Sequence, residues 1–351
     1  MPRTLQPAAS RTEDLLEERA LERLFAPLGS ASAILVAVSG GPDSMALLHL
    51  IARWADREGR PRIMVATVDH GLRPEAANEA ALVASRCAAL GVSHRILSWQ
   101  GTKPATGLQD AARQARYTLL VGVAKAEGAS HLVTAHTLDD QAETLMMRLA
   151  AGSGLAGLAG MRPEIERDGI RHVRPLLGCA KSALVELCRQ EGWPFVEDPS
   201  NADPRFARTR WRRLMPDLAE EGLTTERLGR LAARVLRAEE ALDFKAREAF
   251  DRARSGGDGG KALDMTLDGS FLLDEPFEIA VRVLALAVLA LPDAGEHARL
   301  ERIEAAAERL REAVLVRRSL RLTLAGALLT LDKGGRLRLV PEPTRRRGRN
   351  S

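Results

Sequence analysis

The sequence predicts an α/β protein: a Rossmann-like parallel sheet with helices on both faces, followed by a helical domain and a small C-terminal strand meander. Three observations carry this expectation. Short apolar stretches with branched residues alternate with longer alanine- and leucine-rich stretches through the first part of the chain. A glycine-rich run, Ser39-Gly40-Gly41-Pro42-Asp43-Ser44, stands directly between the first strand-like stretch and the first helix-like one. After Arg213 the alternation gives way to helical spacing. A βαβα order implies a parallel sheet covered on both faces, with ligands at the rim formed by the strands' C-terminal ends.

The strand expectations are Ala33–Val38, Arg62–Val68, Arg95–Leu97 and His131–Thr134, each short, apolar and followed by a turn. The helices between them are Met45–Trp54, Glu75–Leu90, Gln109–Ala126 and Asp140–Ala150. Beyond Arg213, Leu228, Leu231, Val235 and Leu242 keep near-helical spacing in an Arg- and Glu-rich segment. Ser255–Gly260 reads as a flexible break, and Ile279–Leu291 and Arg299–Ala313 as helices. Leu320–Leu324, Ala327–Leu331 and Arg336–Val340 surround Asp332-Lys333-Gly334-Gly335 and read as a strand meander with a glycine turn. The expected organisation is an N-terminal helical segment (1–30), a nucleotide-binding catalytic domain (31–215), a helical domain (216–315), a meander (316–343) and a disordered basic tail (344–351).

The 351 residues are enough for two or three domains, and 45% hydrophobic with 28% charged residues is ordinary for a globular protein. Arginines cluster at Arg205, Arg208, Arg210, Arg212 and Arg213, and again at Arg345, Arg346, Arg347 and Arg349. Such clusters suit either a phosphate-rich partner or a solvated basic face. With only 3% aromatic residues, nucleic-acid contact cannot rest mainly on stacking. Cys87, Cys179 and Cys188 show no CxxC spacing, which argues against a disulfide framework, a zinc ribbon or a cysteine-held cluster. Early acidic residues and no apolar core argue against a signal peptide, and Val283–Leu291 is too short to span a bilayer. The expected location is cytoplasmic, without membrane.

In the Ser39–Ser44 run, Gly40 and Gly41 permit a tight turn that brings backbone amides to an anion, and the next helix offers free N–H groups at its start. Ser39 and Ser44 carry hydroxyls for phosphate oxygens. Asp43 cannot bind phosphate directly, because like charges repel, but suits a magnesium ligand. No GxxxxGK[ST] pattern occurs, so this is not a Walker loop. Asp69 and His70 end the second strand. His136, Asp139, Asp140 and Glu143 gather where the fourth strand meets a helix, a set suited to magnesium or a cationic amine. Asp140 with Glu143 also fits a capping box. Gly152-Ser153-Gly154-Leu155-Ala156-Gly157 matches GxGxxG literally but follows a helix, so a dinucleotide site is not expected. It reads as a flexible loop at the site's rim.

The SGGxDS run resembles the PP-loop of the ATP pyrophosphatase superfamily. Further blocks follow in order: Val68-Asp69-His70-Gly71-Leu72-Arg73, Ala112-Arg113-Gln114-Ala115-Arg116-Tyr117, Thr134 to Thr144, Gly152 to Gly160, Arg174-Pro175-Leu176-Leu177 and Asp198-Pro199-Ser200-Asn201. Together they resemble the tRNA(Ile)-lysidine synthetase family over roughly the first three-fifths of the chain.

That resemblance implies ATP with Mg2+ at the rim and adenylation of a cytidine in the anticodon of a tRNA(Ile) bearing CAU. Pyrophosphate is released, and L-lysine then displaces AMP. It implies catalytic roles for Asp43, His136, Asp139, Asp140 and Arg113, the last stabilising phosphates beside Arg116. Nucleotide contacts fall to Ser39, Gly40, Gly41, Pro42, Asp43, Ser44, Asp69, His70 and Ala135. Substrate contacts fall to Glu143, Gly152, Ser153, Gly154, Arg205, Arg208 and Arg212. An Asn usual in the family after the arginine aligned with Arg208 is Thr209 here. The helical domain and meander are expected to hold tRNA, and a homodimer is left open. Rival readings are another PP-loop enzyme, such as a thiolase, a glutamine-dependent amidotransferase or an NAD or GMP synthetase, or a non-catalytic RNA-binding protein. The missing CxxC and Pro2, which removes an N-terminal cysteine, speak against the thiolase and the amidotransferase.

Overall fold

A computed structural model describes residues 13–57, 59–71, 76–101, 103–104, 106–197, 207–254, 264–291 and 299–342. The expectations placed on Leu72, Arg73, Glu75, Asp198 to Asn201, Arg205, the 255–260 break and the basic tail lie outside these residues. The chain divides into two compact units, Met1–Leu236 and Arg237–Ser351.

The first unit begins with helix α1 (Glu18–Phe25) and continues β1 (Ala33–Ala37), α2 (Pro42–Ala55), β2 (Arg62–Asp69), α3 (Ala76–Ala89) and β3 (Ser93–Ser98). Then come α4 (Leu108–Ala126), β4 (His131–Val133), α5 (Leu138–Ala150), a single turn α6 (Leu155–Leu158), the hairpin β5 (Glu164–Arg167) and β6 (Ile170–Val173), α7 (Lys181–Gln190) and α8 (Ala207–Glu220). The sheet order is β3-β2-β1-β4-β6-β5. Every neighbouring pair is parallel except β5–β6, which is antiparallel. The expected parallel sheet is present, and it carries in addition an antiparallel edge hairpin that the strand pattern did not announce.

Residue alternation along β1 sorts the two faces. Ile34 and Val36 pack with α1, α2, α3 and α7, around Phe25, Leu48, Trp54, Val83 and Leu187. Ala33 and Leu35 pack against α4 through Tyr117, Leu120 and Ala124. The chain runs outward through β1, β2 and β3, then returns to place β4 on the other side of β1. The order therefore reverses between β1 and β4, and ligands of open α/β sheets bind at that crevice.

Helix α9 (Thr225–Arg254) runs through the division between the units. The second unit adds β7 (Met265–Asp268), α10 (Phe271–Asp274), α11 (Phe277–Leu289), α12 (Leu300–Leu315), β8 (Leu320–Leu324), β9 (Ala327–Leu331) and β10 (Arg336–Pro341). The three expected strands belong to a four-stranded antiparallel sheet with order β7-β10-β9-β8. The stretch expected to be wholly helical thus supplies one strand: Met265–Leu339 and Leu267–Leu337 pair across β7 and β10. Alternate residues of this sheet share one core with α11 and α12, built on Leu267, Val283, Leu284, Leu310, Leu329 and Leu337. Arg282 on α11 donates to Glu239 Oε1 and Asp243 Oδ1 at 2.6 Å and to Glu278 Oε1 at 2.7 Å. Glu239 is buried, and the guanidinium supplies the partner that makes its burial tolerable. Among the described residues no helix is long and apolar enough to cross a membrane.

Candidate active site

The phosphate loop closes on itself. α2 starts at Pro42, earlier than the expected Met45, because proline at the first helical position loses no needed N–H. Gly40 has φ +89°, a region L side chains avoid. Its carbonyl accepts from Val196 N at 2.9 Å. Ser44 Oγ donates to Gly41 O at 2.9 Å and accepts from Ser39 N at 3.1 Å. The buried Ser44 hydroxyl thus braces the turn, a different use from the phosphate donation expected of it. Ser39 is exposed, and because the Ser44 proton goes to Gly41 O, it is the Ser39 hydroxyl that donates to Ser44 Oγ across 3.2 Å; reaching an anion requires it to turn away from that bond.

Asp43 sits in the first turn of α2. Lys181 Nζ donates to its Oδ2 at 2.8 Å, while Oδ1 is buried without a partner. Burial pushes the Asp43 carboxyl above its ordinary value; Lys181 opposes that shift, and Asp140 and Asp139 add to it. The N–H of Lys181 also donates to Asp139 Oδ2 at 2.7 Å. The first residue of α7 therefore ties the phosphate loop to the start of α5.

At that start the capping box differs from the expected one. Thr137 is the N-cap, and Asp140 occupies the third helical position. Asp140 Oδ2 accepts from Thr137 N at 2.9 Å, and Asp140 N donates to Thr137 Oγ1 at 3.3 Å. A threonine at the cap leaves Glu143 one turn further in, free of capping duty. Glu143 is buried: Arg212 Nε donates to its Oε1 at 2.7 Å, and Oε2 has no partner. Burial raises the Glu143 carboxyl, and Arg212 opposes the rise. Arg208 Nη1 lies 3.9 Å from Asp140 Oδ1. On α8, Arg208 and Arg212 are four residues apart, which presents them on one face to the three-apart acids of α5. Thr209, where the family has Asn, is buried on the same helix.

At the end of β2, Asp69 Oδ1 accepts from Gly71 N at 2.7 Å and so shapes the turn. His70 Nδ1 is buried without a partner, and its ring meets Trp99 edge-on at 6.0 Å. Arg113, Arg116 and Arg167 stack over Tyr117 with guanidinium carbons 5.2, 5.0 and 4.2 Å from the ring centre. Ala135 is half-buried after β4. The Gly152-Ser153-Gly154 segment leads into α6 and is held: Arg148 Nη1 donates to Gly157 O and Gly160 O, both at 2.7 Å. Arg205 lies outside the described residues.

A PP-loop domain matches residues 14–218. The tRNA(Ile)-lysidine synthase of Methylobacterium nodulans is 53% identical over 94% of this chain and 96% of its own length. That of Bradyrhizobium diazoefficiens is 46% identical over 95% and 96%. The chain belongs to the tRNA(Ile)-lysidine synthase family. Among solved structures, a U34-tRNA thiolase from Methanococcus maripaludis shares the fold, with TM-score 0.53 and 18% identity over 63% of this chain and 79% of its own.

Two features of this site are invisible to sequence pattern. Lys181 follows the Arg174-Pro175-Leu176-Leu177 block closely, yet no local pattern marks it as the partner of Asp43, 138 positions away. The second is the buried set of Thr134, His172 and Arg174 behind His136.

Proposed function

We propose that this chain ligates L-lysine to C2 of the wobble cytidine, position 34, of the tRNA(Ile) with a CAU anticodon, in the cytoplasm. The observation that carries this reading is Lys181, whose two donors join the phosphate-loop Asp43 to the α5 acid Asp139. An ATP site and an acidic amine site then share one wall. A neutral base carbonyl is a poor leaving group, so its O2 first attacks the α-phosphorus of ATP and pyrophosphate leaves. The lysine amine attacks C2, the C2–O bond breaks, and AMP departs with the oxygen.

Ser39, Gly40, Gly41 and Pro42 cradle phosphates through the loop and the start of α2. Ser44 holds that loop in shape. Arg113 and Arg116 stabilise charge as it develops on phosphoryl oxygens. Asp69, His70 and Ala135 border the nucleoside. Glu143, Asp140 and Asp139 receive the cationic amine and take its proton. Arg205, Arg208, Arg212 and the Gly152–Gly154 turn contact the tRNA, and the helical and C-terminal parts hold its body.

Mg2+ fits Asp43, whose buried Oδ1 lacks a partner; magnesium is typically held by one or two carboxylates together with substrate phosphates. When bound it supplies charge neutralisation to the phosphates.

The test combines purified protein, Mg-ATP, radiolabelled lysine and an unmodified tRNA(Ile) transcript with a CAU anticodon. Alkali-stable label on tRNA that needs ATP and disappears in Asp43→Ala is the expected result. Pyrophosphate release without label would point to another nucleophile. Neither signal in folded protein would leave a non-catalytic RNA binder.

A further inference from the structure

His136 stands three residues beyond β4, on the same sheet rim at which the parallel neighbour β1 runs into the phosphate loop. Behind it, Thr134 Oγ1 lies 2.8 Å from His136 Nδ1 and 2.9 Å from His172 Nε2. Arg174 Nη2 lies 3.3 Å from His172 Nδ1. Thr134, His172 and Arg174 are each at most 5% exposed, so water does not compete for these bonds.

The bond directions follow from two facts: a guanidinium donates and never accepts, and a buried hydroxyl proton needs an acceptor. Arg174 therefore needs a bare Nδ1 on His172, and the proton of that ring resides on Nε2. His172 Nε2–H donates to Thr134 Oγ1. Among the described residues the Thr134 hydroxyl meets only these two rings, so its one proton, which needs an acceptor where water is excluded, goes to His136 Nδ1. With Nδ1 accepting, the proton of His136 is on Nε2. Which nitrogen of a histidine carries the proton is set by the bond that the other one makes.

We propose that Arg174, His172 and Thr134 form a one-way hydrogen-bond chain that locks His136 as the Nε2–H tautomer, making it a donor to a phosphoryl oxygen held at the phosphate loop. The two rings stay neutral because burial, then the nearby Arg174, pushes each down to about 2. Locked this way, His136 neither ligates a metal nor takes a proton from the amine. It offers one N–H to an oxygen whose charge grows in the transition state, and a donor aimed at developing charge raises the rate more than it tightens ground-state binding. Thr134, His172 and Arg174 are positioning residues. The acceptor's identity rests on the ligase reading; the tautomer does not.

The experiment is long-range nitrogen–proton NMR on histidine-15N-labelled full-length protein, with His136→Gln and His172→Gln used to assign two of its seven histidines. Both rings are expected to show a protonated Nε2 and a bare Nδ1 at neutral pH. Thr134→Val should let His136 populate the Nδ1–H form and lower kcat roughly tenfold or more, leaving the KM for ATP unchanged. Thr134→Ser restores the hydroxyl and should recover both. An Nδ1–H His136 in the wild type overturns the proposal, whatever the fate of the valine variant. So does an altered tautomer with unaltered kcat. If wild type forms no lysidine, the ligase reading falls, and the spectra still decide the tautomer.

Discussion

Lys181 Nζ stands 2.8 Å from Asp43 Oδ2, and the N–H of the same lysine donates to Asp139 Oδ2 at 2.7 Å. The second oxygen of Asp43 is buried and unbonded. Lys181→Met removes the ammonium while leaving the backbone bond to Asp139. Burial then acts on Asp43 without opposition from the lysine, and its carboxyl moves further above the ordinary range. Pyrophosphate release should fall on the order of a hundredfold. The acid limb of its pH profile should shift to higher pH. Single-turnover release measured across pH reads both; a limb that stays in place would show that Lys181 does not govern Asp43.

The same raised carboxyl has a consequence for stability. A folded-state value above the unfolded one means the folded protein disfavours the charged form. The contribution of Asp43 is fully present below its unfolded value and is lost as pH rises through the folded value. At neutral pH the residue therefore costs stability. Asp43→Asn should raise the melting temperature at neutral pH while abolishing activity, and the gain should vanish in acid, where both states hold the proton. Thermal unfolding at several pH values checks this. A gain independent of pH would have to come from packing instead.

Glu143 and Arg212 form a pair in which the carboxylate is only 2% exposed. Arg212→Met strands a buried charge, and breaking such a pair costs about 3 kcal/mol. Glu143→Gln keeps the shape and removes the charge, so it should be far milder. The double variant should recover most of the loss, giving a coupling well above experimental error in a double-mutant cycle by urea unfolding. If lysine is received by this acid, Glu143→Gln also raises the KM for lysine and spares tRNA-dependent pyrophosphate release. Additive unfolding energies would mean that the two side chains do not depend on each other.

The core of the first unit was legible because its signals are local. Branched residues in Ala33–Ala37, then Gly40 and Gly41, then an apolar helix specify strand, turn and phosphate cradle within one short window. The acids at the start of α5 were legible for the same reason. The β5–β6 hairpin also left a local mark: Asp168-Gly169 is a two-residue turn flanked by Ile165 and Ile170, and Asp168 takes φ +50°. Glu164, Glu166 and Arg167 mask that signal by making the flank look like a polar loop. Strand β7 was hidden by its distance from its partner, with Leu267 pairing Leu337 seventy positions on. Lys181 and Arg174 belong to a third class. Their roles depend on which side chain of another element they meet, and no spacing along the chain encodes that.

The turn after α5 offers the sharpest packing test. Gln141 Nε2 donates to Met161 O at 3.0 Å, and Met161 N donates to Gln141 Oε1 at 2.7 Å, so the buried amide is pinned on both sides. Gly160 has φ +67°, and a Cβ there would lie 2.7 Å from Gln141 Nε2 and 2.8 Å from Oε1. Gly160→Ala should therefore be destabilising on two counts: about 1 kcal/mol for the left-handed backbone and about 1–2 kcal/mol for the disrupted amide bonds. Gly152 shares φ +67°, but a Cβ there would meet nothing within 4 Å, so Gly152→Ala should cost only the backbone part. Urea unfolding of the two variants separates the two contributions. The KM for tRNA should rise in Gly160→Ala, because the segment that Gly160 closes includes the Gly152–Gly154 turn proposed to contact tRNA. Equal destabilisation by the two substitutions would mean that Gln141 yields to the added methyl and does not hold the turn.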